Sequence, residues 1–218
     1  MRIYIQGQLY RDDVDALLFD LDGTLVESTG AILEILTHWS KQQALDVQQV
    51  IQFSHGKRTI DIVRYFIKST EVERHYQDLT AQFLHVAHQA RAVQGAAQLL
   101  QQLNQQHVPW AIVSSSERKL IQARLSAAGL PQPQVVISAE TIEYGKPHPE
   151  GYLNAARALK IPIQACVVFE DAPAGVEAAL YAGANCIGLG QQLKRKTECS
   201  IEYYEQIKVE KKPSEEGL

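Results

Sequence analysis

Several things are scarce in this 218-residue chain, and each scarcity excludes something. There are three cysteines, Cys166, Cys186 and Cys199, odd in number and without a CxxC spacing. That excludes a disulfide framework and the common structural zinc sites, and it suits reduced, mostly buried thiols in the cytoplasm. No apolar run approaches the ~20 residues of a membrane span. The opening stretch, MRIYIQGQLYRDD, is broken by glutamine, glycine and charge too early for a signal peptide. Neither sign of charge dominates: 21 Lys and Arg stand against 25 Asp and Glu, a net charge of −4. Nucleic acid and anionic membrane are therefore not expected partners. Internal repeats are absent. What is present is an ordinary globular composition, 45% hydrophobic, long enough for one large domain or one domain carrying a smaller insert.

Short apolar runs at Val14–Phe19, Pro109–Ser114, Gln134–Ser138, Ala165–Phe169 and Asn185–Leu189 read as buried strands. Runs rich in Val and Ile, without alternation, suit a parallel sheet covered on both faces. Helical patterns separate them. Ala96, Leu99, Leu100 and Leu103 share a face, as do Ile121, Leu125 and Ala128 before Gly129. A further helix starts near Pro173 and stops at Gly183. This alternation predicts an α/β fold, a doubly wound Rossmann-like parallel sheet, with its ligand crevice at the carboxyl ends of the strands. Residues 29–93 break the pattern: they read as helices without a strand. The expected organisation is an α/β core from 1–28 and 94–218 with an inserted all-helical cap, 29–93, above the crevice. Residues 1–13 read as a short extra strand or arm. The last ten, VEKKPSEEGL, are charged and contain Pro and Gly, so they are expected to fray.

Four places fall just past predicted strand ends: Asp20 with Asp22, Ser114, Lys146, and Glu170 with Asp171. Each alone has a mundane reading, as a turn, a helix N-cap, a solvated loop lysine and acidic charge at a helix start. A parallel sheet would bring all four to one edge. Several carboxylates and one lysine suit Mg²⁺, a hard cation that shares its coordination with phosphate oxygens. A carboxylate held against a phosphoryl group can attack it, and a second can protonate the leaving oxygen and later activate water. A hydroxyl and an ammonium would hold the phosphoryl oxygens.

These residues resemble a known family. DLDGTLVES, IVSSS, GKPHPEGYL and VVFEDAPAGVEAA are similar, in order, to the four motifs of the haloacid-dehalogenase superfamily of phosphotransferases. The helical insert after the first motif resembles the cap of the subgroup with β-phosphoglucomutase and phosphoglycolate phosphatase. SHGKRT, GKPHPE and FEDAPAG look most like glycerol-3-phosphatase, 2-deoxyglucose-6-phosphatase and related sugar phosphatases. The resemblance implies Asp20 as nucleophile and Asp22 as general acid and base. It implies Mg²⁺ held by Asp20, Asp22 through its carbonyl, and Asp171 with Glu170 nearby. Ser114, Ser115 and Lys146 would bind the phosphoryl group. In the cap turn, His55, Gly56, Lys57 and Arg58 would set specificity, with Lys57 or Arg58 reaching the substrate.

The implied activity is a phosphatase acting on a small phosphorylated sugar or polyol, in a monomer or weak dimer. The alternatives are a β-phosphoglucomutase-type phosphomutase and a phosphoglycolate-type phosphatase. The GTLVES stretch resembles phosphatases more than the mutase. His85 and His88 read as an exposed helix face, Trp39, Tyr65 and Phe66 as cap core, and Trp110 as core packing.

Overall fold

The structure, a computed structural model, describes residues 1–190, 193 and 197–212. A hairpin opens it, β1 (Arg2–Ile5) and β2 (Gln8–Arg11), followed by β3 (Ala16–Phe19) and the two-residue β4 (Val26–Glu27). Four helices come next: α1 (Thr29–Gln42), α2 (Val47–Ser54), α3 (Thr59–Phe66) and α4 (Val72–Val86). The chain returns through β5 (Arg91–Ala92), which pairs antiparallel with β4 and so ties the two connections together. Strands and helices then alternate: α5 (Ala96–Gln105), β6 (Trp110–Val113), α6 (Arg118–Ala127), β7 (Val135–Ile137), α7 (Glu150–Leu159), β8 (Cys166–Glu170), α8 (Pro173–Ala182) and β9 (Asn185–Leu189). Two further strands, β10 (Cys199–Ile201) and β11 (Ile207–Glu210), close the described chain.

Six strands form one parallel sheet in the order β10-β9-β8-β3-β6-β7. Every residue of β3, β6 and β8 is buried, because helices cover both faces. The strand period of two sorts the core: Leu17 and Phe19 pack with α5 and Ile121, whereas Ala16 and Leu18 pack with Tyr152, Val176 and Ala179. The five expected strands are all present, and β10 is an addition. The sheet order reverses around β3, which has β8 on one side and β6 on the other. That reversal opens the crevice at the carboxyl end of β3.

Helices α1–α4 bury their own apolar cluster, Leu36, Trp39, Val50, Ile62, Val63, Leu79 and Phe83, and share it with Leu120 of α6. Trp39 donates from Nε1 to Nδ1 of the buried His75 at 3.2 Å. Tyr65 departs from expectation: it is exposed and stacks on Phe53 instead of filling the core. It falls on the outer face of α3, away from Ile62 and Val63. His85 and His88 are exposed, as expected, and Trp110 is buried.

The two ends of the described chain meet. β1 lies between β2 and β11 in an antiparallel three-stranded sheet, with Ile3 opposite Val209 and Ile5 opposite Ile207. The expectation of a frayed end is corrected for residues 209 and 210, which belong to β11: alternating Ile207 and Val209 give that strand an apolar face, and Val209 is buried. Residues 213–218 lie outside the described residues. Arg11 donates to Asn185 and so links β2 to β9. All three cysteines are free, and Cys166 and Cys186 are buried. Among the described residues no helix is long and apolar enough to cross a membrane.

Candidate active site

Asp20 is the first residue past β3, and its amide donates to the Phe169 carbonyl at 3.0 Å, continuing the sheet one residue further. The chain then turns sharply. The Leu25 and Val26 amides donate to the Leu21 carbonyl, and Gly23 takes a φ of +86°. Gly23 has a second reason to lack a side chain: a Cβ there would run into the Asp171 carboxylate. Because of this turn, Asp22 does not continue the strand's direction, and the two acids go to different partners. Asp20 accepts from Lys146 Nζ at 2.5 Å. Asp22 accepts from Ser28 Oγ at 2.5 Å, Ser116 Oγ at 2.9 Å and Arg124 Nη1 at 2.6 Å.

Lys146 is enclosed. Its ammonium also donates to Glu170 Oε1 at 2.5 Å and to the Val113 carbonyl at 3.2 Å. Glu170 ends β8 and is fully buried, which demands partners for both oxygens. Tyr152 of α7 donates to Oε1 at 2.8 Å and the Ala172 amide to Oε2 at 3.1 Å. Gly175 leaves the space that the Glu170 carboxylate fills.

Asp20, Glu170 and Asp171 present carboxylate oxygens within 4.8 Å of one another. Two of them, Asp20 and Glu170, share the Lys146 ammonium. Burial pushes Asp20 well above the usual carboxylate range; Lys146 opposes that shift, and Glu170 and Asp171 add to it. Burial and then the Glu170 charge push Asp171 up to about 7. Burial alone would lower Lys146, but Asp20 and Glu170 override it and raise its proton affinity. The lysine gains from two carboxylates while Asp20 loses, because one shared ammonium cannot offset burial plus two acidic neighbours. The all-oxygen donors of the cluster fit a hard divalent cation. Among the described residues the Asp22 carboxylate is not part of this cluster.

The hydroxyl loop after β6 completes the crevice. Ser114 is buried and its Oγ accepts from the Ser116 amide at 3.1 Å. Ser115 Oγ donates to the Gly56 carbonyl at 2.8 Å, and Lys57 Nζ donates to the Lys146 carbonyl at 2.9 Å. The turn of the helical insert thus sits directly on the loops that carry Ser115 and Lys146. Between them lies a cavity of about 100 Å³, reached by Asp20, Asp22, Ser114, His55, Lys57 and Arg124. A larger recess of about 790 Å³ beside it shares Arg124, His55 and Asp171. The structure does not bring Arg58 to the cavity. As the residue before α3, it is held by both carboxylate oxygens of Asp61, at 2.7 and 2.8 Å, and reaches outward to the Ile142 carbonyl at 3.1 Å.

Sequence reasoning missed four residues: Ser28, Ser116, Tyr152 and Arg124. Ser28, Ser116 and Tyr152 lay inside quoted motifs. Arg124 had a signal, since it follows Leu120 and Ile121 by four and three positions and so falls on the buried face of α6.

Comparison with known proteins agrees with this geometry. Residues 17–189 match the family model described as haloacid dehalogenase-like hydrolase. The chain is 37% identical over 208 residues to hexitol phosphatase A of Escherichia coli, covering 90% of this chain and 94% of that one. It is 36% identical over 186 residues to glycerol-1-phosphate phosphohydrolase 2 of Saccharomyces cerevisiae, covering 81% of this chain and 74% of that one. The fold is similar to a solved β-phosphoglucomutase from Clostridium difficile, with a TM-score of 0.80 at 19% identity over 88% of this chain and 92% of that one. A match over this span, on a sheet that gathers these acids at the end of β3, makes the chain an enzyme of the haloacid dehalogenase-like hydrolase family.

Proposed function

We propose that this enzyme is a Mg²⁺-dependent phosphatase of small sugar or polyol phosphates, working through an aspartyl-phosphate on Asp20. The observation that carries the reading is the Asp20 carboxylate, buried among Lys146, Glu170 and Asp171 at the mouth of a small cavity. The similarity to the hexitol and glycerol phosphate enzymes supports the substrate class.

Asp20 attacks phosphorus and forms the acyl phosphate. Asp22 gives a proton to the leaving oxygen, then takes one from the water that hydrolyses the intermediate. Lys146, Ser114 and Ser115 hold the phosphoryl oxygens, and Glu170 with Tyr152 keeps Lys146 in place. Asp20, Asp171 and the Asp22 carbonyl, with Glu170 beside them, would hold Mg²⁺, which would supply positive charge to the phosphoryl group. Residues 29–93 act as a cap on a core of residues 1–28 and 94–218. His55, Gly56 and Lys57 meet the substrate from that cap, while Arg58 fixes the turn from outside. The enzyme works in the cytoplasm as a monomer or weak dimer.

Phosphate release from a panel of phosphate esters, with and without Mg²⁺, tests the reading. Small polyol and sugar phosphates should be the best substrates, and chelation should abolish turnover. Asp20→Asn should lower turnover by about three orders of magnitude or more with the fold retained, since nucleophile and metal ligand fail together. An Asp20→Asn protein keeping a tenth of the activity would overturn the assignment. Conversion of one sugar phosphate into its isomer, without phosphate release, would instead establish a mutase.

A further inference from the structure

Arg124 is a cation buried where the proposed chemistry has not used it. It is 2% exposed, in the last turn of α6, and lines both the small cavity and the larger recess beside it. Its two hydrogen bonds both leave from Nη1, to Asp22 Oδ2 at 2.6 Å and Ser116 Oγ at 3.0 Å. Nε and Nη2 have no partner among the described residues. Neither atom is among the buried side-chain atoms left without a partner, so both reach open space on the cavity wall, where an acceptor on a bound molecule can meet them.

We propose that Arg124 reads the substrate: its free donors bind a hydroxyl on the carbon chain next to the phosphate ester. This rests on the phosphatase reading above and adds the chemical group that the site selects. A hydroxyl fits better than a second anion for an electrostatic reason. The phosphoryl group already brings negative charge, and Asp20 and Asp171 border the same space, so a second anion beside the phosphate would add like-charge repulsion. A hydroxyl accepts from Arg124 without bringing charge, and can itself donate to a neighbouring oxygen. A site built to hold a hydroxyl discriminates strongly against the analogue that lacks one, since buried donors are then left unpaired.

The test compares kcat/KM for glycerol 1-phosphate, n-propyl phosphate and phosphoglycolate, with Mg²⁺, in the wild type, Arg124→Met and Arg124→Lys. The wild type should prefer glycerol 1-phosphate over n-propyl phosphate by about 10- to 100-fold, the worth of a charge-assisted hydrogen bond. In Arg124→Met that ratio should fall below about threefold, with Arg124→Lys between the two. A disturbance of Asp22 falls on both esters within a variant, and the difference between leaving groups is common to all three proteins, so neither by itself produces the expected change of ratio. An unchanged ratio in a folded Arg124→Met protein would overturn the inference. So would a preference for phosphoglycolate that disappears with Arg124, which would assign a carboxylate instead. Failure of the folded wild type to hydrolyse any of the three esters would sink the phosphatase reading itself.

Discussion

Lys146→Met isolates the charge balance on which the site depends. Met has a similar length and no charge, so the variant leaves Asp20 and Glu170 buried without the ammonium that bonds both at 2.5 Å. Removing one partner of a buried ion pair costs about 3–5 kcal/mol, because the remaining charge is uncompensated. For a chain of this size each kcal/mol moves the melting temperature by about 2–4 °C, so a drop of about 6–20 °C is expected at pH 8 without metal. The sign of the pH dependence follows from the carboxyls. Asp20 and Asp171 already lie above the usual carboxylate range, and losing Lys146 removes the lowering contribution it makes to both. Acids raised on folding favour the native state when protonated, and that contribution is lost as pH rises through the folded value. The deficit should therefore be smaller at pH 5 than at pH 8. Lys146→Met/Glu170→Gln removes one stranded charge as well, and should melt above the single variant. Thermal unfolding followed by circular dichroism in chelator, at both pH values, decides the matter. A single variant melting within about 2 °C of wild type at pH 8, or a deficit larger at pH 5, would refute the reasoning.

Mg²⁺ at about 100 times its dissociation constant should stabilise the wild type by about 2.7 kcal/mol, raising the melting temperature by about 5–10 °C. The increment should be larger at pH 8 than at pH 5, since protons on Asp20 and Asp171 compete with the cation; equal increments at both pH values would contradict this. Gly23→Ala should displace Asp171, because the added methyl collides with its carboxylate and φ is +86°. Calorimetric titration should then show Mg²⁺ affinity lowered by at least about tenfold, the scale of losing a ligand's support; unchanged affinity would remove Asp171 from the metal site. Tyr152→Phe removes one hydrogen bond to the buried Glu170. It should cost about 1–2 kcal/mol and less than about tenfold in kcat; a variant at least as stable as wild type would show that the hydroxyl contributes nothing.

The strands were legible because β3, β6 and β8 are buried on both faces, and such burial writes uninterrupted Val, Ile, Leu and Phe into the sequence. The convergence of Asp20 and Glu170 was legible for the same reason, since the carboxyl ends of the strands must share an edge; Lys146 lies well past β7 and reaches them from the loop before α7. What stayed hidden has separate physical causes. Three contacts dock the 54–59 turn, from Ser115, Lys57 and Arg58, and each ends on a backbone carbonyl, which any residue supplies. β10 and β11 are three and four residues long, too short to declare a period against the polar residues around them. Arg58 misled because cations in a turn look available, whereas Asp61 three residues on occupies this one.

The two acids that stand one residue apart also belong to different parts of the molecule. Asp20, Lys146, Glu170 and Tyr152 belong to the α/β layers and their loops and hydrogen-bond to one another, so the proposed nucleophile is positioned within the core. Asp22 joins three segments. Ser116 and Arg124 hold it from β6's loop and α6, and Ser28, the residue immediately before α1, holds it from the start of the helical insert. A displacement of α1 therefore reaches Asp22 directly through Ser28, while Asp20 keeps all of its partners. In the proposed mechanism, attack at phosphorus would then be prepared by the core, whereas proton transfer would depend on where the insert stands and on what occupies the cavity beside Arg124. The turn at Gly23 creates this division, because it swings Asp22 out of the line of β3 while Asp20 stays on it.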